Sequence, residues 1–198
     1  MAQPFTVSPT LPSHRQHVVL VGFMGCGKST VGRLLAERTG RTFVDVDEVI
    51  AEESGRTIAE FVQLHGAVAL HARERALMRR LLAHPQPLVI ATSGDSFVDP
   101  LLRGWVTASA QSVFLEADAE TLTRRLSNGD RTRQRPLRPG PNLLETVCRL
   151  LATATPSYRQ AALTVHNDGE RIEDVVQEIA HQLRLDREAH GRTLKRAV

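Results

Sequence analysis

Aromatic residues are scarce: six Phe, one Trp and one Tyr make up 4% of 198 residues. A chain so poor in flat side chains offers no platform on which unpaired bases can stack. The charge balance adds nothing to a nucleic-acid reading, because 25 Lys and Arg against 22 Asp and Glu leave a net +3. The arginines behind the isoelectric point of about 9.4 are scattered rather than gathered into a stripe, so no nucleic-acid partner is expected. Cysteine occurs only at Cys26 and Cys148, too seldom for a disulfide framework or a Cys-rich zinc site, which favours a reducing compartment and a cytoplasmic location. No apolar run approaches the roughly 20 residues of a membrane span, so no membrane partner is expected either. Residues 1–16 lack the charged start and apolar centre of a secretion signal and read as a flexible tail.

What is present suits one α/β domain, with 41% hydrophobic and 24% charged residues and enough length to bury a core without staples. Five short apolar runs, at 17–21, 42–44, 88–91, 111–115 and 163–166, are spaced by longer helical patterns. Between the first two, Val31, Leu34 and Leu35 lie at i, i+3 and i+4, and Gly40 supplies a stop. The opening is therefore strand, loop, helix, strand. Thr57 with Glu60 and Asn142 with Glu145 have the spacing of an N-cap and its third helical residue, each ahead of an apolar stripe. A last helix is expected over about 170–185. Strands alternating with helices imply a mainly parallel sheet whose ligands sit beyond the strands' carboxyl ends.

The octapeptide Gly22-Phe23-Met24-Gly25-Cys26-Gly27-Lys28-Ser29 fits the phosphate-cradling pattern G-x-x-x-x-G-K-[ST] and stands where its physics requires, after a strand and opening a helix. Glycines let backbone N–H groups turn toward phosphate oxygens, and the helix start adds partial positive charge. The expected nucleotide contacts are Gly22, Met24, Gly25, Cys26, Gly27, Lys28, Ser29 and Thr30, with the Cys26 thiol itself a bystander. Lys28 would reach the β- and γ-phosphates of ATP, and Ser29 would ligate Mg²⁺. The expected fold is then a three-layer P-loop NTPase-type α/β domain over 17–185: a five-stranded mainly parallel sheet, helices on both faces and a lid loop, with a further tail at 186–198.

Asp45 and Asp47 flank Val46 at the end of the second strand. One carboxylate could serve the Mg²⁺ shell, a role we give to Asp45, while Asp47 orients or deprotonates a substrate hydroxyl. Asp47 could equally cap a helix through Ile50. Residues 127–141 hold Gly129, Gly140, three prolines and the arginines Arg131, Arg133, Arg135 and Arg138 without apolar periodicity. They read as a mobile basic lid, with Arg131 at the nucleotide and Arg135, held before Pro136, at the transferring phosphate.

Val21 to Gly32, Phe43-Val44-Asp45-Val46-Asp47 and Arg135-Pro136-Leu137 together resemble the shikimate kinase family, over about residues 16–185. The resemblance implies a nucleoside-monophosphate-kinase-like fold, transfer of the γ-phosphoryl group of ATP to a ring hydroxyl of a small carboxylated cyclitol, and a substrate-binding role for Asp47. On the acceptor side the pattern departs. His71 stands where the family motif Phe-Arg-x-x-Glu has its arginine, with Glu74 kept. Ser93-Gly94-Asp95 replaces a triple glycine, and Ala154, ahead of Pro156-Ser157-Tyr158, replaces a second carboxylate-binding arginine. The expected acceptor contacts are Asp47, His71, Gly94, Asp95 and Arg135. Either Arg75, on the face of His71 and Glu74, or Arg159 could supply the missing positive charge.

The reading is an ATP- and Mg²⁺-dependent kinase of a small-molecule hydroxyl acceptor, expected to be a monomer, the acceptor being shikimate or a related neutral or amino polyol. A non-catalytic nucleotide- or ligand-binding regulator of the same family is the alternative, against which Lys28, Ser29, Asp45, Asp47 and Arg135 all stand. A P-loop hydrolase or switch fits a basic lid and a wide acceptor pocket less well. If residues 127–141 form a lid, their amide exchange slows on adding a nonhydrolysable ATP analogue, and equal protection with and without it refutes the lid.

Overall fold

The computed structural model describes residues 17–128, 142–169 and 171–185. Its elements in chain order are β1 (Val18–Val21), α1 (Lys28–Thr39), β2 (Thr42–Asp45), α2 (Val46–Ser54), α3 (Ile58–Leu82), β3 (Leu88–Ala91), a 3₁₀ turn (Ser96–Val98), α4 (Pro100–Ser109), β4 (Gln111–Glu116), α5 (Ala119–Asn128), α6 (Leu143–Tyr158), β5 (Leu163–His166) and α7 (Ile172–Gln182). The five expected strands are all present, each within a residue of its apolar run. The final helix is shorter at both ends than expected, and α5 runs through Asn128, the first two residues of the expected lid. The rest of that lid, including Arg131, Arg133, Arg135 and Arg138, lies outside the described residues, as do both tails.

The sheet order is β2-β3-β1-β4-β5 and every pair is parallel. Burial follows this order: β1 and β3 are buried at every position, whereas the edge strands β2 and β5 are only partly covered. A strand covered on both faces must be apolar at consecutive positions, which is why the runs read as continuous rather than alternating. Helix α1 packs against α7 and β3, and because right-handed crossovers that step in opposite directions lie on opposite faces, the connections after β2, β3 and β4 cover the other face.

Helix ends follow local chemistry. Thr57 Oγ1 accepts from the Glu60 amide at 3.2 Å while Glu60 Oε2 accepts from the Thr57 amide at 2.8 Å, closing a reciprocal cap. Asn142 Oδ1 accepts from the Glu145 amide at 3.4 Å, and Gly40 ends α1 in the left-handed region. One expectation is corrected: Asp45, not Asp47, caps α2, its Oδ1 accepting from the amides of Asp47 at 3.1 Å and Glu48 at 3.5 Å. The cap must precede the first helical residue, Val46, with extended backbone, and Asp47 is already inside the first turn. Within α3, Gly66 at φ 81° and ψ 163° breaks the helical path and leaves an exposed elbow bearing Leu64 and Val68.

His17, just before β1, is buried, and its Nδ1 accepts from the Leu88 amide at 3.2 Å while its carbonyl accepts from the Gln111 amide at 2.9 Å. It thus aligns β1 with both neighbours. Burial pushes its imidazole below the ordinary histidine range, and protonating Nδ1 would remove the acceptor. A lowered folded-state value means stability is complete above the unfolded value of about 6.5 and declines as pH falls toward the folded one, by at most about 1.4 kcal/mol per pH unit for one proton. Urea midpoints should drop between pH 7.5 and 5.5, and His17→Asn, which keeps an acceptor but does not titrate, should flatten that drop. An equally steep drop in the variant assigns it elsewhere.

Candidate active site

The segment between β1 and α1 folds as its glycines require. Gly25 and Gly27 have φ of 80° and 98°, and Gly27 starts α1 with no side chain capping it, so the helix start offers its first-turn N–H groups to an anion. A methyl group at Gly27 would meet Asn167 Nδ2 at 2.8 Å, and one at Gly22 would meet the Leu115 carbonyl at 2.7 Å. Lys28 is buried and folds back across the loop, donating from Nζ to the carbonyls of Gly22 at 2.8 Å and Phe23 at 2.9 Å. The ammonium is therefore held inside the curl, where a bound phosphate would be met. The Cys26 thiol is fully buried and 3.8 Å from Lys28 Nζ. Met24 is half-buried and Gly25 and Thr30 are exposed at the mouth.

Next to the loop, Ser29 Oγ donates to Asp45 Oδ2 at 2.5 Å, with both residues buried. A hydroxyl and a carboxylate in contact beside a phosphate cradle are the hard oxygen donors that Mg²⁺ prefers, so the residues fit the ion. Asp47, in the first turn of α2 and half-buried, stands with Asp45 at the carboxyl edge of β2. Since β3 lies between β2 and β1, the turn after β3 falls between Asp47 and the phosphate loop.

That turn is Ser93-Gly94-Asp95. A methyl group at Gly94 would come within 3.1 Å of the Met24 amide nitrogen, so the turn abuts the phosphate loop. The Tyr158 hydroxyl donates to the Gly94 carbonyl. Glu74, buried on α3, accepts from Ser93 Oγ at 2.6 Å and from Ser96 Oγ at 3.3 Å. His71, one turn earlier, places Nε2 3.3 Å from Asp95 Oδ2. The structure thus brings His71, Gly94 and Asp95 together, and buries Ala154 in the core on α6 rather than at a solvent-facing position.

Two residues that the sequence reading passed over brace the loop from behind. Asn167, after β5, donates from Nδ2 to the Cys26 carbonyl at 2.8 Å. Arg125 on α5 donates to the Asn167 carbonyl at 2.8 Å and to the Gly25 carbonyl at 3.5 Å. Both contacts span 100 or more positions, and the only signal available was that each follows a strand of the expected parallel sheet.

A shikimate kinase family model matches residues 24–184. The chain belongs to the shikimate kinase family. A shikimate kinase of Symbiobacterium thermophilum is 38% identical over 168 residues, 84% of this chain and 95% of that one. The Paramagnetospirillum magneticum shikimate kinase is 40% identical over 159 residues, 80% of each chain. Among solved structures, shikimate kinase from Acinetobacter baumannii in complex with shikimate superimposes with a TM-score of 0.79 at 31% identity, covering 87% of this chain and 97% of that one. Membership makes the chain an ATP-dependent kinase, a phosphotransferase with an alcohol acceptor.

Lys28→Ala removes the ammonium held inside the curl of the loop while leaving the apolar core untouched. Turnover should fall by about 100-fold or more with an unchanged far-ultraviolet circular dichroism spectrum. Undiminished turnover in that variant would take away the basis for placing phosphate in this loop.

Proposed function

We propose that this family member phosphorylates a hydroxyl of a neutral or amino-bearing cyclitol-like polyol and uses shikimate poorly. The observation that carries the reading is the direction taken by the arginines that could replace the two missing carboxylate anchors. Arg75 pairs with Asp99 at 2.9 Å. Burial alone would raise the Asp99 carboxyl, but the Arg75 guanidinium and the Leu101 and Leu102 amides outweigh it and hold the group below the usual carboxylate range, so Arg75 is firmly engaged. Arg159 pairs with Glu116 at 3.1 Å, and Arg73 and Arg80 both pair with Glu53, at 3.2 and 2.5 Å. His71 faces Asp95, and Ala154 offers a methyl group.

Each lost arginine–carboxylate contact weakens anion binding by about 2 kcal/mol, and the carboxylate of Asp95 opposes a second one nearby. Relatives named shikimate kinase support the transfer itself; this pocket supports a different acceptor.

In the proposed reaction Lys28 meets the β- and γ-phosphates. Ser29 and Asp45 would hold Mg²⁺, which would offset the negative charge of the phosphates. Asp47 orients the acceptor hydroxyl and takes its proton as the oxygen bonds to the γ-phosphorus. The bond from that phosphorus to the bridging oxygen breaks, and ADP leaves. Arg131 and Arg135, outside the described residues, are assigned the charge that develops on the transferred group.

Steady-state kinetics test the acceptor. Shikimate should fall well below the roughly 10⁴ M⁻¹s⁻¹ of an ordinary enzyme and its substrate. The triple change His71→Arg, Ala154→Arg and Asp95→Gly should raise shikimate kcat/KM more than any of the three alone, because a clamp acts as a unit. Shikimate turnover at or above 10⁴ M⁻¹s⁻¹ in the unaltered protein refutes the reading.

A further inference from the structure

The exit of β5 is built against the phosphate loop. Asn167 is 3% exposed, and both its backbone groups are engaged: its amide donates to the Glu116 carbonyl at 2.8 Å, and its carbonyl accepts from Arg125 at 2.8 Å. The next residue is tied as well, Asp168 Oδ1 accepting from the Asp118 amide at 2.6 Å. From this pinned backbone the carboxamide of Asn167 reaches the loop, where Nδ2 donates to the Cys26 carbonyl at 2.8 Å. Only the NH₂ end of a carboxamide can face a carbonyl. The same nitrogen stands 2.8 Å from where a methyl group at Gly27 would lie, so the contact runs along the Cys26–Gly27 peptide.

Across a planar trans peptide the C=O and N–H point in opposite directions, so a Cys26 carbonyl held by Asn167 turns the Gly27 N–H away from Asn167. The preceding carbonyl is held in the same manner. Arg125 donates to the Gly25 carbonyl at 3.5 Å, and the N–H across that peptide, of Cys26, closes the loop's own turn onto the Phe23 carbonyl at 3.2 Å. Gly27, at φ 98°, has the conformational freedom to let its peptide rotate once the partner is gone. Burying a carboxamide is costly unless it is hydrogen-bonded, and an apolar side chain would fill the same space after β5. What only a donor supplies there is the direction of this one peptide.

We infer that Asn167 is a positioning residue for the nucleotide's phosphates: by holding the Cys26 carbonyl, it aims the Gly27 N–H into the cradle. This rests on phosphate occupying the loop, and it is independent of which acceptor the protein uses. Asn167 acts through the backbone and touches no phosphate itself, so its loss weakens every ligand that carries the phosphate chain, with or without a nucleoside. One neutral hydrogen bond sets the scale, about tenfold in affinity.

The test is calorimetric binding of ATP and of inorganic tripolyphosphate, each with Mg²⁺, to the unaltered protein, to Asn167→Leu and to Asn167→Ala. Leucine replaces the carboxamide with an apolar group of similar volume. Alanine only truncates it, so the readout survives if the leucine variant fails to fold. Both ligands should bind about tenfold more weakly in either variant. Weaker ATP binding with undiminished tripolyphosphate binding puts Asn167 at the nucleoside and overturns the inference. Unchanged affinity for both ligands with a lower urea midpoint is the mark of a merely structural role, and unchanged affinity with an unchanged midpoint shows no role at all; either result overturns it. Lys28→Ala, measured alongside, separates the premise from the inference. If it too leaves tripolyphosphate binding intact, phosphate does not sit in this loop and both fall; if it weakens binding while the Asn167 variants do not, only the role of Asn167 falls.

Discussion

The carboxylate of Asp45 holds three parts of the molecule at once. One oxygen takes the Ser29 hydroxyl from the phosphate-loop helix, and the other takes the amides of Asp47 and Glu48 at the start of α2. Because a capping carboxylate fixes where the next helix begins, the residue that touches the phosphate side also dictates the position of Asp47, two residues on. A helix register set this way cannot slip without breaking the contact to Ser29. The distance between the phosphate-cradling loop and Asp47 is thus a property of one buried side chain, braced by β2 pairing with β3 through Asp45 and Ala91.

Around that fixed point the two halves of the site are built differently. The nucleotide half sits on β1, buried at every position between β3 and β4, and is clamped by Asn167, just after β5, and by Arg125 on α5. The half proposed for the acceptor rests on α2, α3 and the turn after β3, where the nearby guanidiniums are drawn to Glu53 and Asp99. Charge on this side is organised helix to helix rather than toward a ligand anion. That is why His71 and Ala154 can stand in place of two arginines with the fold intact.

Much of this was legible in the residues themselves. Continuous apolar runs marked the five strands because a parallel sheet buried on both faces needs them, and the Thr57 and Asn142 caps followed from spacing alone. The phosphate loop was legible because its function demands glycine and lysine at fixed offsets. The capping role of Asp45 was not, since Asp45 and Asp47 are both acceptable caps one residue apart and only the burial of Ser29 beside Asp45 separates them. The break at Gly66 was hidden because a single glycine inside a helical pattern is tolerated as often as it bends one. Asn167 and Arg125 were invisible because their contacts are made with backbone carbonyls, which carry no signature in the side chains of the loop they hold.

The same asymmetry says why such a site diverges on one side first. At Gly22 and Gly27 any side chain would strike a carbonyl or an amide within 2.8 Å, and at Asp45 a change would strand a buried hydroxyl, so substitutions there act on folding as well as on chemistry. His71 and Asp95 have side chains 44% and 53% exposed, and surface positions of that kind typically alter stability by about half a kcal/mol or less. A mutation at either therefore costs the fold little. The buried Glu74, Ser93 and Ser96 network keeps the turn in place whatever residue stands at 95. The phosphate loop and the backbone of the turn after β3 can therefore stay constant while the exposed residue at 95 changes.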